Sequence, residues 1–426
     1  MLDIRPPTET DREAIAALSG LAFNSPVRPE RVSLTGRLCA YDGTRLAASA
    51  RSIDFDQWFG GTRVACAGIA GVVVQPEDRG QGIAAALVAE LLRQGRDEGR
   101  VVSALFPSTA ALYRKLGYEF AGLRPHFRVA ITDLPVSGRA ARGLPVGPGD
   151  SREISEVPGT REMPEIHEVP EIREVPLATM SQADVQELVE CFSRSASLHN
   201  GPVQSDDRAY WADHALAHKG EGNHQRTVVV AGEGGVSGYA SFFLEDRKAD
   251  GYALVCKHLV APGPASLRAL LMYFRRFENA AKDLVWPGPP TAAPLGLVLG
   301  ANGFSLSPSL SRWMLRVLDV PRALEARGYQ AIEGEAVLCL DDPLFPANSG
   351  PWNVRAHGGK VAVTPAEKGG GPAFKPLPIG LFSALYTGLA TASDLISLGA
   401  LEADDPRAGF LSALFAGPAP WMPDSF

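Results

Sequence analysis

The sequence predicts two α/β units followed by an α+β unit, over 426 residues. Three observations carry that expectation. Strand and helix patterns alternate over residues 11–116 and again over 182–318, the rhythm of sheets covered by helices. A proline–glutamate repeat separates the two stretches. Beyond Pro321, strand patterns come first and helical ones afterwards, as in α+β units. The division that follows is 1–137, a linker over 138–178, then 179–320 and 321–426. At about 100–200 residues per domain, the length suits two to four domains.

In the first unit, residues 11–21 have the spacing of an amphipathic helix, and 46–55 and 63–74 read as strands. The second strand is an uninterrupted run of Val, Ala and Gly, as expected when both faces are covered. Residues 82–96 read as a helix, with Ile83, Leu87 and Leu91 on one face. A strand over 100–106 and a short helix over 110–116 complete the unit. In the second unit, 182–193 is helical, 227–231 and 238–244 are strands, 266–281 is a long helix and 312–318 a strand. The third has strands at 337–340, 353–355 and 360–364, then short helices at 378–386 and 391–397.

The linker repeats Glu153-Ile-Ser-Glu-Val-Pro158, Glu165-Ile-His-Glu-Val-Pro170 and Glu171-Ile-Arg-Glu-Val-Pro176, with proline at 158, 164, 170 and 176. Proline at that interval excludes helix. It also drives each preceding residue toward extended geometry. The expectation is an acidic, semi-rigid, exposed spacer.

Composition narrows the function classes. Hydrophobic residues make up 45% and charged residues 21%, enough apolar surface for real cores. Lys and Arg total 41 against 48 Asp and Glu, a net charge of -7. That field repels phosphate backbones, so no nucleic-acid partner is expected, and it attracts cations. No apolar run reaches the roughly 18 residues that span a bilayer, so no membrane partner is expected. The start, Met1-Leu-Asp-Ile-Arg-Pro-Pro, lacks the basic and apolar regions of a secretion signal. The five cysteines form no C-x-x-C pair and the eight histidines no H-E-x-x-H cluster. A cytoplasmic protein with reduced thiols and no metal is the expectation.

The strongest local signal is Val72-Val73-Val74-Gln-Pro-Glu-Asp-Arg79-Gly80-Gln81-Gly82-Ile83-Ala84. A strand enters a glycine-rich turn that opens a helix. Free N–H groups and the positive dipole end of that helix favour an anion, so the segment reads as a pyrophosphate cradle with Arg79 at its rim. It lacks the Gly-Lys-Ser/Thr ending of a P-loop. It also fits the dinucleotide fingerprint only loosely. Some 35 residues on comes Tyr113-Arg-Lys-Leu-Gly117-Tyr118. These residues alone leave Tyr118 open between a core side chain and a proton donor. The last stretch, Ala416-Gly-Pro-Ala-Pro-Trp421-Met-Pro-Asp-Ser-Phe426, is apolar, aromatic and stiffened by proline, whereas ordinary termini are polar and fray. It reads as a tail docked in a pocket, carrying its α-carboxylate with it.

The R-x-x-G-x-A turn after a V-x-P strand end resembles the acetyl-coenzyme A signature of GNAT N-acetyltransferases. The order of units, the stretch Trp313-Met-Leu-Arg-Val-Leu-Asp-Val-Pro321-Arg-Ala-Leu-Glu-Ala-Arg-Gly-Tyr329 and the terminal aromatic together resemble the enhanced intracellular survival (Eis) family. That resemblance implies tandem GNAT-like domains, the second without a cofactor signature, followed by a sterol-carrier-protein-like domain. It implies acetyl-CoA as cofactor, held by Val72, Val73 and Val74 at the thioester and by Arg79, Gly80, Gln81, Gly82, Ile83 and Ala84 at the pyrophosphate. It implies Tyr118 as general acid and the Phe426 carboxylate as general base, in a homo-oligomer, trimer or hexamer. The expected reaction is direct acetyl transfer to a primary amine of a cationic small molecule (aminoglycoside-like or polyamine) or of a lysine side chain. A non-catalytic acyl-CoA or lipid-binding protein is the alternative. Two departures stand out. Phe106 replaces a histidine of some members. The acid that often precedes the terminal aromatic is Ser425 here, with Asp424 one step earlier.

Overall fold

The structure, a computed structural model, describes residues 2–135, 170–176, 179–212, 216, 225–289, 304–306, 311–366, 374–424 and 426. The first third contains β1 (Asp3–Arg5), α1 (Arg12–Phe23), β2 (Arg37–Asp42), β3 (Arg45–Phe59), β4 (Thr62–Val74), α2 (Ile83–Asp97), β5 (Val102–Leu105), α3 (Ala110–Arg114), β6 (Glu119–Arg124) and β7 (His126–Ala130). The middle contains β8 (Ile172–Glu174), α4 (Gln182–Ala196), β9 (Val203–Gln204), β10 (Arg226–Gly232), β11 (Gly235–Asp246), β12 (Tyr252–Val260), α5 (Pro264–Arg275), β13 (Asp283–Pro287), β14 (Phe304–Leu306) and β15 (Ser311–Val317). The last quarter contains α6 (Val320–Ala326), β16 (Gly334–Asp341), β17 (Gly350–His357), β18 (Lys360–Pro365), β19 (Leu377–Pro378), α7 (Ile379–Thr387), α8 (Ala392–Ser397) and α9 (Ala408–Leu414).

These strands build three sheets. The first has the order β1-β2-β3-β4-β5-β15-β6, with β9 pairing β3. The second runs β14-β7-β13-β12-β11-β10-β8, and the third β18-β17-β16-β19. The first two sheets exchange strands. β7 leaves the first unit and lies between β13 and β14, while β15 returns to fill the slot between β5 and β6. The crossover is at Pro125, between Arg124 and His126. Proline has no N–H to continue a ladder, so the pairing breaks there and the chain changes sheet.

The last linker repeat departs from the expected spacer. Ile172–Glu174 is an edge strand, paired with Val228–Val230 of β10, and Val175 is buried. Pro170 and Pro176 bracket it. Each leaves the intervening residues extended, which is what an edge strand needs. Residues 138–169 and 177–178 of the expected linker lie outside the described residues. The expected long helix over 266–281 is also shorter. It ends at Arg275, and turns follow through Ala280. Phe277 and Ala281 continue the apolar spacing but pack from those turns.

The third unit is fastened to the first sheet by a buried ion pair. Arg316 of β15 donates from Nη2 to both oxygens of Asp342, at 2.7 and 3.0 Å, and neither side chain is exposed. Asp342 also accepts from Asn348 Nδ2 and from the N–H groups of Leu344 and Phe345. A buried carboxylate is tolerable when its lone pairs are satisfied in this way.

Candidate active site

The site forms where two parallel strands part. β4 and β5 pair at Cys66↔Val102, Ala67↔Ser103 and Gly68↔Ala104, and the ladder ends there although β4 runs on to Val74. On its other edge β4 carries a bulge. Ser49 faces Val73 and Arg51 faces Ala70, so Gly71 and Val72 together oppose Ala50. Gly71 has φ +58°, a left-handed conformation suited to glycine. A bulge twists and bends its strand, and here it falls where β4 leaves β5.

The glycine turn stands at the far end of β4. A short 3₁₀ turn, Pro76–Asp78, precedes Arg79, and α2 begins at Ile83. Arg45 donates to both carboxylate oxygens of Asp78, at 2.7 and 3.0 Å. This clamps the turn to the β2–β3 hairpin and lowers the Asp78 pKa. Gly80 and Gly82 have φ +79° and +81°, and a Cβ at either would meet nothing within 4 Å. The backbone therefore requires glycine, and the space above it is open. Gly82 is the N-cap of α2, and no side chain caps the first turn, so its N–H groups are left for a ligand. Arg79, Gln81 and Gly82 are exposed, Val72, Val74 and Ala84 half-buried, and Val73 and Ile83 buried in the core. The residues present fit an anionic group at the turn. Six residues of extended chain separate Gly68 from Val74, about 20 Å at about 3.3 Å each. A ligand spanning both ends must be long, anionic at one end and reactive at the other.

Tyr118 lies on the α2 side of the opening. Gly117 precedes it with φ +83°, and Arg316 Nη1 would lie 1.9 Å from any Cβ there. The tight turn after α3 thus puts Tyr118 under the sheet. Its hydroxyl is 2.6 Å from Ser103 Oγ, and Ser103 donates its own proton to the Ala67 carbonyl at 2.6 Å. Serine has one hydroxyl proton, so the phenol is the donor in the Tyr118–Ser103 bond. Burial pushes the Tyr118 phenol well above its ordinary value, so it is protonated at any working pH.

Phe426 lies on the opposite face. Side chains alternate across a sheet. Cys66, Val102 and Ala104 belong to one core cluster together with Phe426, whereas Ile69, Leu105 and Tyr118 belong to the other. The Phe426 ring packs on Phe55 at 4.9 Å between centroids and on Phe106 at 5.9 Å. A Cβ on Gly68 would come 3.0 Å from its Cε2. Phe426 and Tyr118 thus flank successive rungs, Gly68↔Ala104 and Ala67↔Ser103, from the two faces. Phe106 is one wall of the Phe426 ring's pocket.

The tail reaches this place by an ordered route. Asn200 donates to the Pro418 carbonyl at 3.2 Å, and the Trp421 N–H donates to the Asn200 carbonyl at 2.9 Å. Leu123 of β6 donates to Pro420 and accepts from Met422, a short parallel bridge. Arg124 donates to the Pro423 carbonyl at 2.7 Å. Asp424 is buried and lies 2.8 Å from His258 Nε2, while His258 Nδ1 lies 2.9 Å from the Tyr239 hydroxyl. One tautomer satisfies all three groups: Tyr239 donates to Nδ1, and Nε2–H donates to Asp424.

Ser103, Asn200, His258 and Tyr239 are absent from the sequence-based site. Each acts through a partner distant in the chain, which no local pattern reveals. Cys66 is on the Phe426 face, fully buried, and burial pushes its thiol well above the ordinary value. A thiol so held is a poor nucleophile. Among the described residues no group of three or more His, Cys, Asp or Glu could hold a metal ion, and no helix is long and apolar enough to cross a membrane.

Parts of the chain match known domain families. Residues 3–121 and 204–317 each match an acetyltransferase (GNAT) domain, and 320–423 match a sterol carrier protein domain. The chain is 27% identical over 450 residues to an uncharacterized N-acetyltransferase of Streptomyces avermitilis, covering 100% of this chain and 99% of the relative. It superposes on a GCN5-related N-acetyltransferase from Anabaena variabilis with a TM-score of 0.84 at 25% identity, covering all of both chains. Eis1 from Mycobacterium abscessus shares the fold, with a TM-score of 0.75 at 21% identity over the full length of both.

Proposed function

Because the chain is a GNAT-type N-acetyltransferase with an Eis-like fold, we propose that it transfers acetyl from acetyl-CoA directly to a primary amine of a cationic acceptor. The acceptor is a small molecule of aminoglycoside or polyamine type, or a lysine side chain. One observation carries this reading: Phe426 is seated where β4 and β5 part, across the sheet from a buried, protonated phenol. The non-catalytic alternative is set aside because both GNAT matches describe acetyltransferases.

Bound along β4, acetyl-CoA supplies an activated acetyl thioester. The N–H groups at the first turn of α2 and the Arg79 guanidinium would hold its pyrophosphate. Backbone N–H groups of β4 from Gly68 toward Val72–Val74, beyond the end of the β5 ladder, would donate to the thioester carbonyl and stabilise the charge that develops on its oxygen. The Phe426 α-carboxylate, with Phe426 as the last residue of the chain, accepts the proton of the acceptor's ammonium. A carboxylate with an ordinary pKa of about 3.5 is a weak base toward an amine near 10. Burial would have to raise it, or binding would have to lower the pKa of the amine. Tyr118 would give its phenolic proton to the departing sulfur, and the resulting phenolate would be held by a hydrogen bond from Ser103. The high thiol pKa of Cys66 argues against an acyl-cysteine intermediate. The net charge of -7 favours a cationic acceptor over a neutral one.

The test is an acceptor screen. Full-length protein with acetyl-CoA should release free thiol in step with acetylated amine for at least one of a polyamine, an aminoglycoside and a lysine peptide. Failure to bind acetyl-CoA, or to release thiol with any of them, contradicts the reading. A second measurement isolates the cradle. Gly82→Val forces a β-branched residue to φ +81°, at a cost of about 1–2 kcal/mol. The expected result is a rise in KM for acetyl-CoA of about tenfold, with little change in acceptor KM.

A further inference from the structure

The third unit buries a cation that has no counter-charge among the described residues. Arg327 is 4% exposed, and its Nε and Nη1 have no hydrogen-bond partner. The guanidinium instead sits inside four aromatic rings: Phe415 at 5.2 Å, Tyr386 at 5.4 Å, Tyr329 at 5.5 Å and Phe59 at 6.0 Å from its carbon to each centroid. Both tyrosines commit their hydroxyls elsewhere. Tyr386 donates to the Ala323 carbonyl and Tyr329 to the Leu324 carbonyl, so they offer Arg327 only their faces. Cation–π attraction offsets part of the cost of taking an unpaired charge out of water, and the rest is left uncompensated. The other buried guanidinium groups show the contrast: Arg316 has Asp342 and Arg407 has Asp405, each in a two-bond pair.

Arg327 is also one wall of a cleft of about 220 Å³. The other walls are residues 60–61 of the β3–β4 turn, 197–200 of the second unit, 328–330 and 416–418. The three units meet there, just before the tail turns toward the active site. Among the described residues no aspartate or glutamate lines the cleft, and at its floor Gly60 and Gly328 pack backbone against backbone, an approach that any Cβ would block. A cleft walled by one unpaired cation and no acid is complementary to an anion.

We propose that this cleft binds a small oxyanion, a carboxylate or a phosphate, with Arg327 as its charge partner. The site is separate from the acetyl-transfer centre, and its ligand supplies a counter-charge beside a guanidinium whose Nε and Nη1 stay enclosed by the aromatic cage. Occupancy braces the start of the tail, because Asn200 in the same wall holds both the Gly60 N–H and the Pro418 carbonyl.

The experiment is calorimetric titration of the full-length protein, in buffer free of other oxyanions, with inorganic phosphate in one arm and succinate in the other. The variant is Arg327→Met, which keeps an apolar side chain inside the cage. Saturable binding of one anion per chain is expected, and the tighter arm names the class. Arg327→Met should weaken it by about tenfold or more, the worth of a charge-assisted pair, while retaining cooperative unfolding. Selenate-soaked crystals of the unaltered protein should show an anomalous peak beside Arg327, a readout independent of the variant's folding. No binding in either arm, or no peak, overturns the proposal. So does phosphate binding that survives Arg327→Met unchanged, because it then belongs elsewhere, such as the glycine turn at 80–84.

Discussion

Deleting Phe426 is expected to leave acetyl-CoA binding nearly unchanged and to lower acetyl transfer by about 10²–10⁴-fold, the usual worth of a positioned proton acceptor. The cofactor cradle and the docked ring lie at opposite ends of β4. Gly80 and Gly82 belong to the turn before α2, whereas Phe426 meets Gly68, Phe55 and Phe106. The anchors that hold the tail, from Asn200 through Leu123 and Arg124 to Asp424, all precede Phe426. A chain one residue shorter therefore keeps its route and loses the ring and the carboxylate position together. Phe426→Ala keeps the carboxylate but not the aromatic contacts, so its activity should lie between the two. Isothermal titration with coenzyme A and a thiol-release assay give the two numbers. Parallel losses of binding and turnover would mean that the deletion had disturbed the cradle.

Replacing Tyr118 by Phe is expected to lower kcat by about 10²–10³-fold with little change in either KM. The ring and its packing on Tyr113 at 6.0 Å survive. What goes is the phenolic proton, which in the resting protein is donated to Ser103. Losing that one bond leaves Ser103 still bonded to the Ala67 carbonyl, a stability cost of about 1 kcal/mol. Activity and thermal stability should therefore separate. The pH dependence carries a further signature. The folded-state pKa of Tyr118 is raised above its unfolded value of about 10. Its contribution to stability is thus fully present below about pH 10 and is lost as pH rises beyond it. The same sign holds for buried Tyr210, Tyr239 and Tyr386. The rate profile should show no falling limb from Tyr118 below about pH 10, and unfolding should become easier above it.

The sequence made some of this legible through local pattern. The strand, glycine turn and helix around residues 72–84 are visible because turn chemistry and helical spacing are local properties. The docking of the last residues could be read from Trp421, Phe426 and three prolines, a composition that water does not favour at a free end. Pairing between distant strands was not legible. Nothing local in His126–Ala130 or Ser311–Val317 says that each joins the other unit's sheet, because strand periodicity fixes a face and not a neighbour. The Asp424–His258–Tyr239 chain joins residues up to 185 positions apart in the sequence. Lys257 and His258 also interrupt the apolar run of β12, hiding a strand whose residues alternate between buried and half-buried over most of its length. Proline periodicity read the final Glu-Ile-Arg-Glu-Val repeat as a spacer. The extended geometry it imposes served equally well for an edge strand.

The central claim is that the carboxylate at Phe426, and not merely the ring above it, accepts the proton. A semisynthetic chain ending in Phe426 carboxamide keeps every aromatic contact and removes only the negative oxygen. Single-turnover acetyl transfer from bound acetyl-CoA to the best amine of the screen should fall by about 10²–10⁴-fold in that chain, with coenzyme A affinity unaltered. Transfer by the carboxamide at the rate of the acid would contradict the account.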